Sequence, residues 1–298
     1  MTELDYYDIV FAGNYTKDTI ITPTGKRIVD GGGMNYAANA AIRLGAKAAV
    51  ITHLSKDDDH VIRKLEGSGI KCFPGFTPKS TTMTLEYPTT DPDTRNIYIN
   101  SVADPIEGQE LDQVKAEWVA IGPSLRGEVG FEFIKYAKSH GYKIALDVQG
   151  YIRVLHGEEL SYESWDEMSQ ILPYIDVLKS DAVESEFLTG KSEIRDAARF
   201  YADLGAKEII LTHRNGLQVL ADGVFYDREF HPESLVGRSG RGDTCVGSYV
   251  ASRITKNPSD SATWSAAVTS LKMEKPCPYD RSLTELLRFI DKWYKNAG

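Results

Sequence analysis

The stretch GRSGRGDTCVGSYVASRI, Gly237 to Ile254, carries three glycines (Gly237, Gly240, Gly242) within six residues, and the last is followed at once by Asp243. Val246, Tyr249, Val250 and Ile254 then recur at helical spacing, so the run reads as a loop opening a buried helix. Such a start offers unpaired N–H groups and the positive end of the helix dipole, which together suit an anion. A carboxylate there competes with a bound phosphate for the same donors, and catalysis supplies a reason for it. Beside a phosphoryl group, a carboxylate takes the proton from an attacking alcohol. The same residues also fit a plain helix cap with glycines for the turn. Arg241-Gly242-Asp243 would be an adhesion tripeptide only in a secreted protein.

Further stretches carry candidate ligand groups. Gly31-Gly32-Gly33 precedes an Ala-rich helical pattern, Met34 to Leu44, closed by Gly45. The triplet fits either a hinge or the close backbone approach of a ligand that a Cβ would block. Asp147 and Gln149, in KIALDVQG, end an apolar strand, where open α/β sheets place ligand contacts, and Arg153 follows. A simple cap on a strand–helix loop is the alternative. VLKSDAVESEFLTG, Val177 to Gly190, is a strand end followed by an acidic helix, by itself a solvated face. SEFLTGKS is similar to a Walker A loop, but Ser185 stands where its first glycine belongs and a helix runs to Gly190, so that reading is rejected. His213 closes the apolar strand AKEIILTH without the partner spacing of a catalytic histidine.

The elements that must hold these groups alternate between strand and helix. Tyr7–Gly13 reads as a central strand, and no G-x-G-x-x-G follows it, which argues against a dinucleotide site. Lys47–Leu54 and Ile70–Gly75 read as strands around a helix over Asp57–Glu66, and from Trp118 onward the pattern is that of a parallel sheet wrapped by helices. Thr19–Asp30 reads as an exposed hairpin, and Thr81–Tyr87 and Asn96–Val102 flank the turn-forming TTDPDT. Asn215-Gly216 and Asp222-Gly223 mark hairpin turns. Ser259–Lys272 and Leu283–Tyr294 read as the last two helices.

A chain of 298 residues can bury a substantial core. Its net charge of -9 argues against a general nucleic-acid or anionic-membrane binder, so an anionic substrate needs a local positive site. Cys72, Cys245 and Cys277 have no paired spacing for zinc or a disulfide framework. The start lacks a basic region before an apolar run, and a cytoplasmic setting is expected.

Taken together, these stretches resemble the ribokinase/PfkB family of carbohydrate kinases. GRSGRGDTCVGSY is similar to its C-terminal signature and GGGMNYAANAAIRLG to its N-terminal one, and the likeness runs in the expected order from YDIVFAG to KMEKP. The resemblance implies an α/β, ribokinase-like fold: a mostly parallel central sheet flanked by helices, one domain over residues 1–298, with small β lid strands at about 14–30 and 81–103 that also offer a dimer surface. It implies ATP and Mg²⁺ as cofactors and a small sugar or polyol as acceptor, with no nucleic acid or membrane partner.

The family's roles fall on residues of this chain. Asp243 becomes the catalytic base, with Gly240, Arg241 and Gly242 forming the anion hole. Asn14, Asp18, Gly32, Gly33, Tyr36, Gln149 and Arg153 fall at the acceptor. Lys179, Asp181, Thr212, His213, Gly216 and Ser270 fall at the nucleotide, and Glu184 organises the metal shell. Several positions depart from the family pattern. Arg241 replaces a usually small residue, and Tyr36 falls where an acceptor-binding Asn is usual. Asp147-Val148-Gln149 only partly matches D-P-N, and Asp181 and Ala182 replace the Asn and first Glu of K-x-N-E-x-E. The G-R-G-D-T-C core, the D-x-Q-G segment and Tyr36 look closest to cyclitol (myo-inositol-like) kinases; a nucleoside kinase or a non-catalytic sugar-binding protein is the alternative.

Overall fold

An apolar run with no polar face belongs inside a parallel sheet. Tyr6–Ala12 (β1) is such a run: Val10 and Ala12 enter one hydrophobic cluster, Ile9 and Phe11 the other. The computed structural model describes residues 5–89, 95–237 and 239–295. The remaining strands are β2 (Thr16–Thr22), β3 (Gly25–Asp30), β4 (Ala48–Leu54), β5 (Lys71–Phe76), β6 (Thr81–Glu86), β7 (Asn96–Ser101) and β8 (Lys115–Ile121). They continue with β9 (Lys143–Asp147), β10 (Arg153–His156), β11 (Glu159–Tyr162), β12 (Val177–Asp181), β13 (Glu208–His213), β14 (Gly216–Ala221) and β15 (Val224–Glu229).

The helices are α1 (Gly33–Arg43), α2 (His60–Gly67), α3 (Phe131–Ser139), α4 (Gln149–Ile152) and α5 (Met168–Ile171). After these come α6 (Ala182–Thr189), α7 (Ile194–Asp203), α8 (Arg241–Arg253), α9 (Pro258–Met273) and α10 (Leu283–Trp293). No helix among the described residues is long and apolar enough to cross a membrane.

The main sheet has nine strands in the order β15-β14-β13-β12-β9-β8-β1-β4-β5, parallel except for the β13–β14–β15 edge. The chain moves outward from β1 through β4 to β5, then returns to β8 on the other side of β1. That reversal makes a switch point, and open α/β sheets place ligands at the carboxyl ends of strands there. The α/β architecture expected from the sequence, a mostly parallel central sheet flanked by helices, is the one observed.

One face of the sheet carries α3 and α7 through Phe133, Ile134, Ala197 and Tyr201. The other carries α1 and α8. α8 is buried from Thr244 to Ser252 because α1 and α9 flank it and the sheet lies beneath. Fully buried residues such as Val250 each contribute about 1.5–3 kcal/mol. Ser248 Oγ donates to Thr244 O at 2.7 Å, satisfying a hydroxyl inside this apolar layer. A helix enclosed in this way holds its first turn, and Asp243 with it, in a fixed place.

A second sheet, ordered β10-β11-β7-β6-β2-β3, stands apart from the first. Its strands β2, β3, β6 and β7 fall on the stretches read as lid, while the β10–β11 hairpin was not anticipated. Arg153–Tyr162 alternates weakly and sits beside a short helix, so its sequence gives little strand signal. The TTDPDT turn lies mostly outside the described residues. At Asn215-Gly216 the structure differs from a glycine turn: Gly216 is the first residue of β14, where a Cβ would come within 2.3 Å of Arg228 O. The positive-φ hairpin turn is instead Asp222-Gly223.

Candidate active site

A cleft of about 860 Å³ opens between the carboxyl ends of the main sheet and the second sheet. Asp147 ends β9, Lys179 and Asp181 end β12, and Thr212 and His213 end β13, and all five line it. Gly32, Gly33 and Tyr36 enter from the start of α1, and Ser239 to Asp243 from the start of α8. The second sheet contributes Asp18, Met83, Leu85, Ile97, Leu160 and Tyr162. The C-terminal strand ends, two helix starts and a second sheet thus converge on one space.

Asp243 sits at the cleft floor in the first turn of α8, after Gly240, whose φ of 74° lies in the left-handed region. A Cβ on Gly33 would come within 2.5 Å of Asp243 Oδ1 and 3.0 Å of Gly122 O, so any other residue there would displace the Asp243 carboxylate. Burial first, then the Asp147 charge, push the Asp243 carboxyl up to about 6, against the pull of Lys179 and Arg153.

Lys179 is the counter-charge. Its ammonium lies 3.0 Å from Asp147 Oδ2 and 3.9 Å from Glu184 Oε2, and a Cβ on Gly242 would come within 2.5 Å of it. The ammonium is therefore directly behind the glycine turn. Burial alone would lower its pKa, but Asp147, Glu184, Asp181 and Asp243 together raise it above the ordinary lysine value. Lys179 stays charged at any working pH.

Each end of the cleft holds a buried polar atom with no partner among the described residues: Asp18 Oδ1 beneath the second sheet and Thr212 Oγ1 at the end of β13. Other buried atoms, such as Trp118 Nε1 and Ser261 Oγ, also lack a partner, but these two belong to residues that line the cleft, where a ligand or water can complete the bonding. Burial chiefly, with Asp243 and Asp30 adding, pushes Asp18 up to about 6 despite Thr16 and Arg95. His213 is held below its ordinary value by burial, then by Arg241, and is neutral at pH 7.

Of the residues singled out in the sequence, Asp18, Gly32, Gly33, Tyr36, Gln149 and Arg153 line the cleft, as do Lys179, Asp181, Thr212, His213 and the Gly240–Asp243 turn. Four do not. Asn14 is buried, donating to Asp104 O and accepting from the His53 N–H, so its amide braces the β1 exit. Gly216 packs on the β15 backbone. Ser270 Oγ donates to Ala266 O and accepts the His231 N–H. Glu184 is 1% exposed and forms a capping box with Asp181, each carboxylate accepting the other residue's N–H at 2.9 Å. Burial pushes Glu184 up to about 7, with Lys179 opposing. Met83, Leu85, Ile97, Arg95 and Arg214 were missed; the alternation in TTMTLE was the signal available for the first two.

Residues 2–283 match the family described as pfkB family carbohydrate kinase. The chain belongs to that family. Among curated proteins, a cytidine kinase of Thermococcus kodakarensis is 26% identical over 256 residues, 82% of this chain and 87% of the relative. A solved pyrophosphate-dependent kinase of the ribokinase family, in a sulfate complex, is 34% identical with a TM-score of 0.88, covering 95% of this chain and 100% of that one. A pyrophosphate-dependent myo-inositol-1 kinase, converted into a myo-inositol-3 kinase by exchange of an asparagine and a serine for leucines, is 32% identical with a TM-score of 0.85, covering 95% and 98%. Ribokinase of Arabidopsis thaliana, 17% identical with a TM-score of 0.76 over 96% and 99%, shares the fold. This PfkB-family chain is a phosphotransferase with a hydroxyl acceptor.

Proposed function

We propose that this enzyme transfers a phosphoryl group from inorganic pyrophosphate to one hydroxyl of a cyclitol of the myo-inositol type, with Asp243 as general base. One observation carries the reading: Asp243 lies on the cleft floor between the orphaned Asp18 acceptor and a turn backed by the Lys179 ammonium. An acceptor hydroxyl held from the Asp18 side gives its proton to Asp243 as its oxygen attacks. N–H groups of the Gly240–Gly242 turn, at the positive end of α8, receive the transferring charge, and the second sheet screens the reaction from water.

What lines the other end supports this choice of donor. Gly216 and Ser270, which ATP binding would place near the nucleoside, have other partners. This end is lined by the cations Lys179, Arg214 and Arg241 beside Asp181, Thr212 and His213, and the three cations suit a compact polyanion. Solved relatives at 32–34% identity are pyrophosphate-dependent. Mg²⁺ takes most of its shell from donor oxygens and water, and when bound it neutralises charge building on the phosphates. Asp181 lines the cleft and would meet its shell, with Glu184 fixing Asp181 from behind.

The purified protein incubated with pyrophosphate or ATP, against myo-inositol, ribose, fructose and cytidine, tests this reading. Turnover with pyrophosphate and myo-inositol is the expected result. ATP turnover with any acceptor would replace the donor, cytidine turnover would replace the acceptor, and no turnover in any combination would remove the reading.

The second sheet bears on which hydroxyl reacts. Leu85 and Ile97 are cross-strand partners on β6 and β7, and both line the cleft. In the solved myo-inositol-1 kinase two leucines moved the reaction to the 3-position. The 1- and 3-hydroxyls of myo-inositol are mirror-related, so an apolar wall that turns the ring over exchanges them. By analogy, the apolar Leu85–Ile97 pair favours the 3-phosphate, and Leu85→Asn with Ile97→Ser should shift product toward the 1-phosphate. Chiral chromatography of the two enantiomeric products decides; an unchanged ratio would clear the pair of this role.

The acid limb of turnover should track Asp243. The base works only when ionised, and its carboxyl in the free enzyme is pushed up to about 6, so kcat/KM should fall roughly tenfold per pH unit below that value. Because Asp18 is also pushed up to about 6, the profile should be repeated in Asp18→Asn, where the limb persists if Asp243 is its source.

A further inference from the structure

Lys272 is a buried charge that the chemistry above does not use. It lies in the last turn of α9 and is 1% exposed. Its ammonium donates to Gly237 O at 2.9 Å and to Ser239 O. No carboxylate pairs with it among the described residues; the ring of Tyr36 lies 5.3 Å away. A lysine desolvated to this degree is costly unless fixed partners compensate. Here the compensation comes from two carbonyls and the negative end of α9.

Those two carbonyls belong to the segment that enters the anion turn. The same segment is pinned to α9 by the Val236 and Gly237 N–H groups, both donating to Met273 O. Carbonyl and N–H of one trans peptide point in opposite directions. With Ser239 O turned toward Lys272, the Gly240 N–H of the same peptide faces away from it, and both residues line the cleft. That N–H donates to no backbone acceptor among the described residues. The lysine sits between the negative end of α9 and the Ser239–Gly240 peptide that leads into α8.

We propose that Lys272 is a positioning residue whose ammonium orients and polarises the Ser239–Gly240 peptide, so that the Gly240 N–H receives charge on the transferring phosphoryl group. This rests on the phosphoryl-transfer reading of the cleft. Turnover of the parent enzyme tests that reading, whereas the ratio of variant to parent tests Lys272.

Lys272→Gln keeps two N–H donors for the carbonyls and removes the charge, while Lys272→Met removes both. The expected result is a kcat reduced about tenfold or more in each, with acceptor KM within twofold and pyrophosphate affinity by calorimetry also reduced. Lys272→Ala removes three methylenes and the ammonium, leaving a space that ends at the Gly237 and Ser239 carbonyls, and K⁺ or NH₄⁺ should restore part of its kcat where choline at equal ionic strength does not. Should Lys272→Met fail to fold, Lys272→Gln decides alone. A Gln variant with parental kcat and pyrophosphate affinity overturns the proposal. Failure of both small cations to rescue a folded Lys272→Ala overturns it as well.

Discussion

Asp243→Asn should lower turnover about 10²–10⁴-fold while leaving acceptor KM within a few-fold. Asparagine keeps the shape against Gly33 and the start of α8, so only the proton acceptor is lost. The fold should not suffer. A carboxyl whose folded pKa is raised costs stability in its ionised form, and that cost is present at neutral pH and relieved as pH falls through about 6. The neutral Asn side chain removes it, so a melting temperature equal to or above the parent's is expected. Separation of function from stability in this direction is the mark of a strained active-site charge. Parental turnover in a folded Asp243→Asn would take the base role away from this residue.

Lys179→Met should be the most damaging change to the fold among the cleft residues. It leaves Asp147 and Glu184, 2% and 1% exposed, beside Asp243 without their close ammonium, with Arg153 still acting on Asp243 and Glu184. Breaking a buried pair by removing one partner typically costs about 3–5 kcal/mol, because the remaining charges stay buried. Urea denaturation of parent and variant reads this directly. The acid limb of any residual turnover should also move to higher pH, since Lys179 is the first group holding the Asp243 carboxyl down. A stability change below about 1 kcal/mol would mean that Asp147 and Glu184 are neutralised by some other group.

The reaction end of the cleft was the most legible part of the sequence. Gly33, Gly240 and Gly242 are constrained by backbone approach and left-handed geometry, and such constraints show as residue types in fixed order. Asp147, Lys179 and Thr212 lie at the ends of apolar strands, where periodicity marks the boundary. The structure brings all of these together with Asp243.

The residues that misled were polar ones with two possible uses. Asn14 and Ser270 stand near the right elements, but their side chains satisfy backbone groups of neighbouring loops, which no local pattern announces. Lys272 passed unnoticed because a lysine in the last turn of a helix reads as a dipole partner in water, and only packing reveals it as buried. The β10–β11 hairpin was hidden for a related reason: its strands are short and mostly exposed, so they lack the alternation by which β6 declares itself.

Met83 and Leu85 on β6 and Ile97 on β7 belong to one hairpin, whereas Asp243 and Lys179 hang from the buried helix and the central strands. On the proposed reading, selectivity and reactivity are therefore mounted on separate parts of the chain, one hairpin against the buried helix and central strands. Such a division lets a lineage trade one alcohol for another by rewriting a short solvent-facing ribbon, with the phosphate-handling apparatus left as inherited.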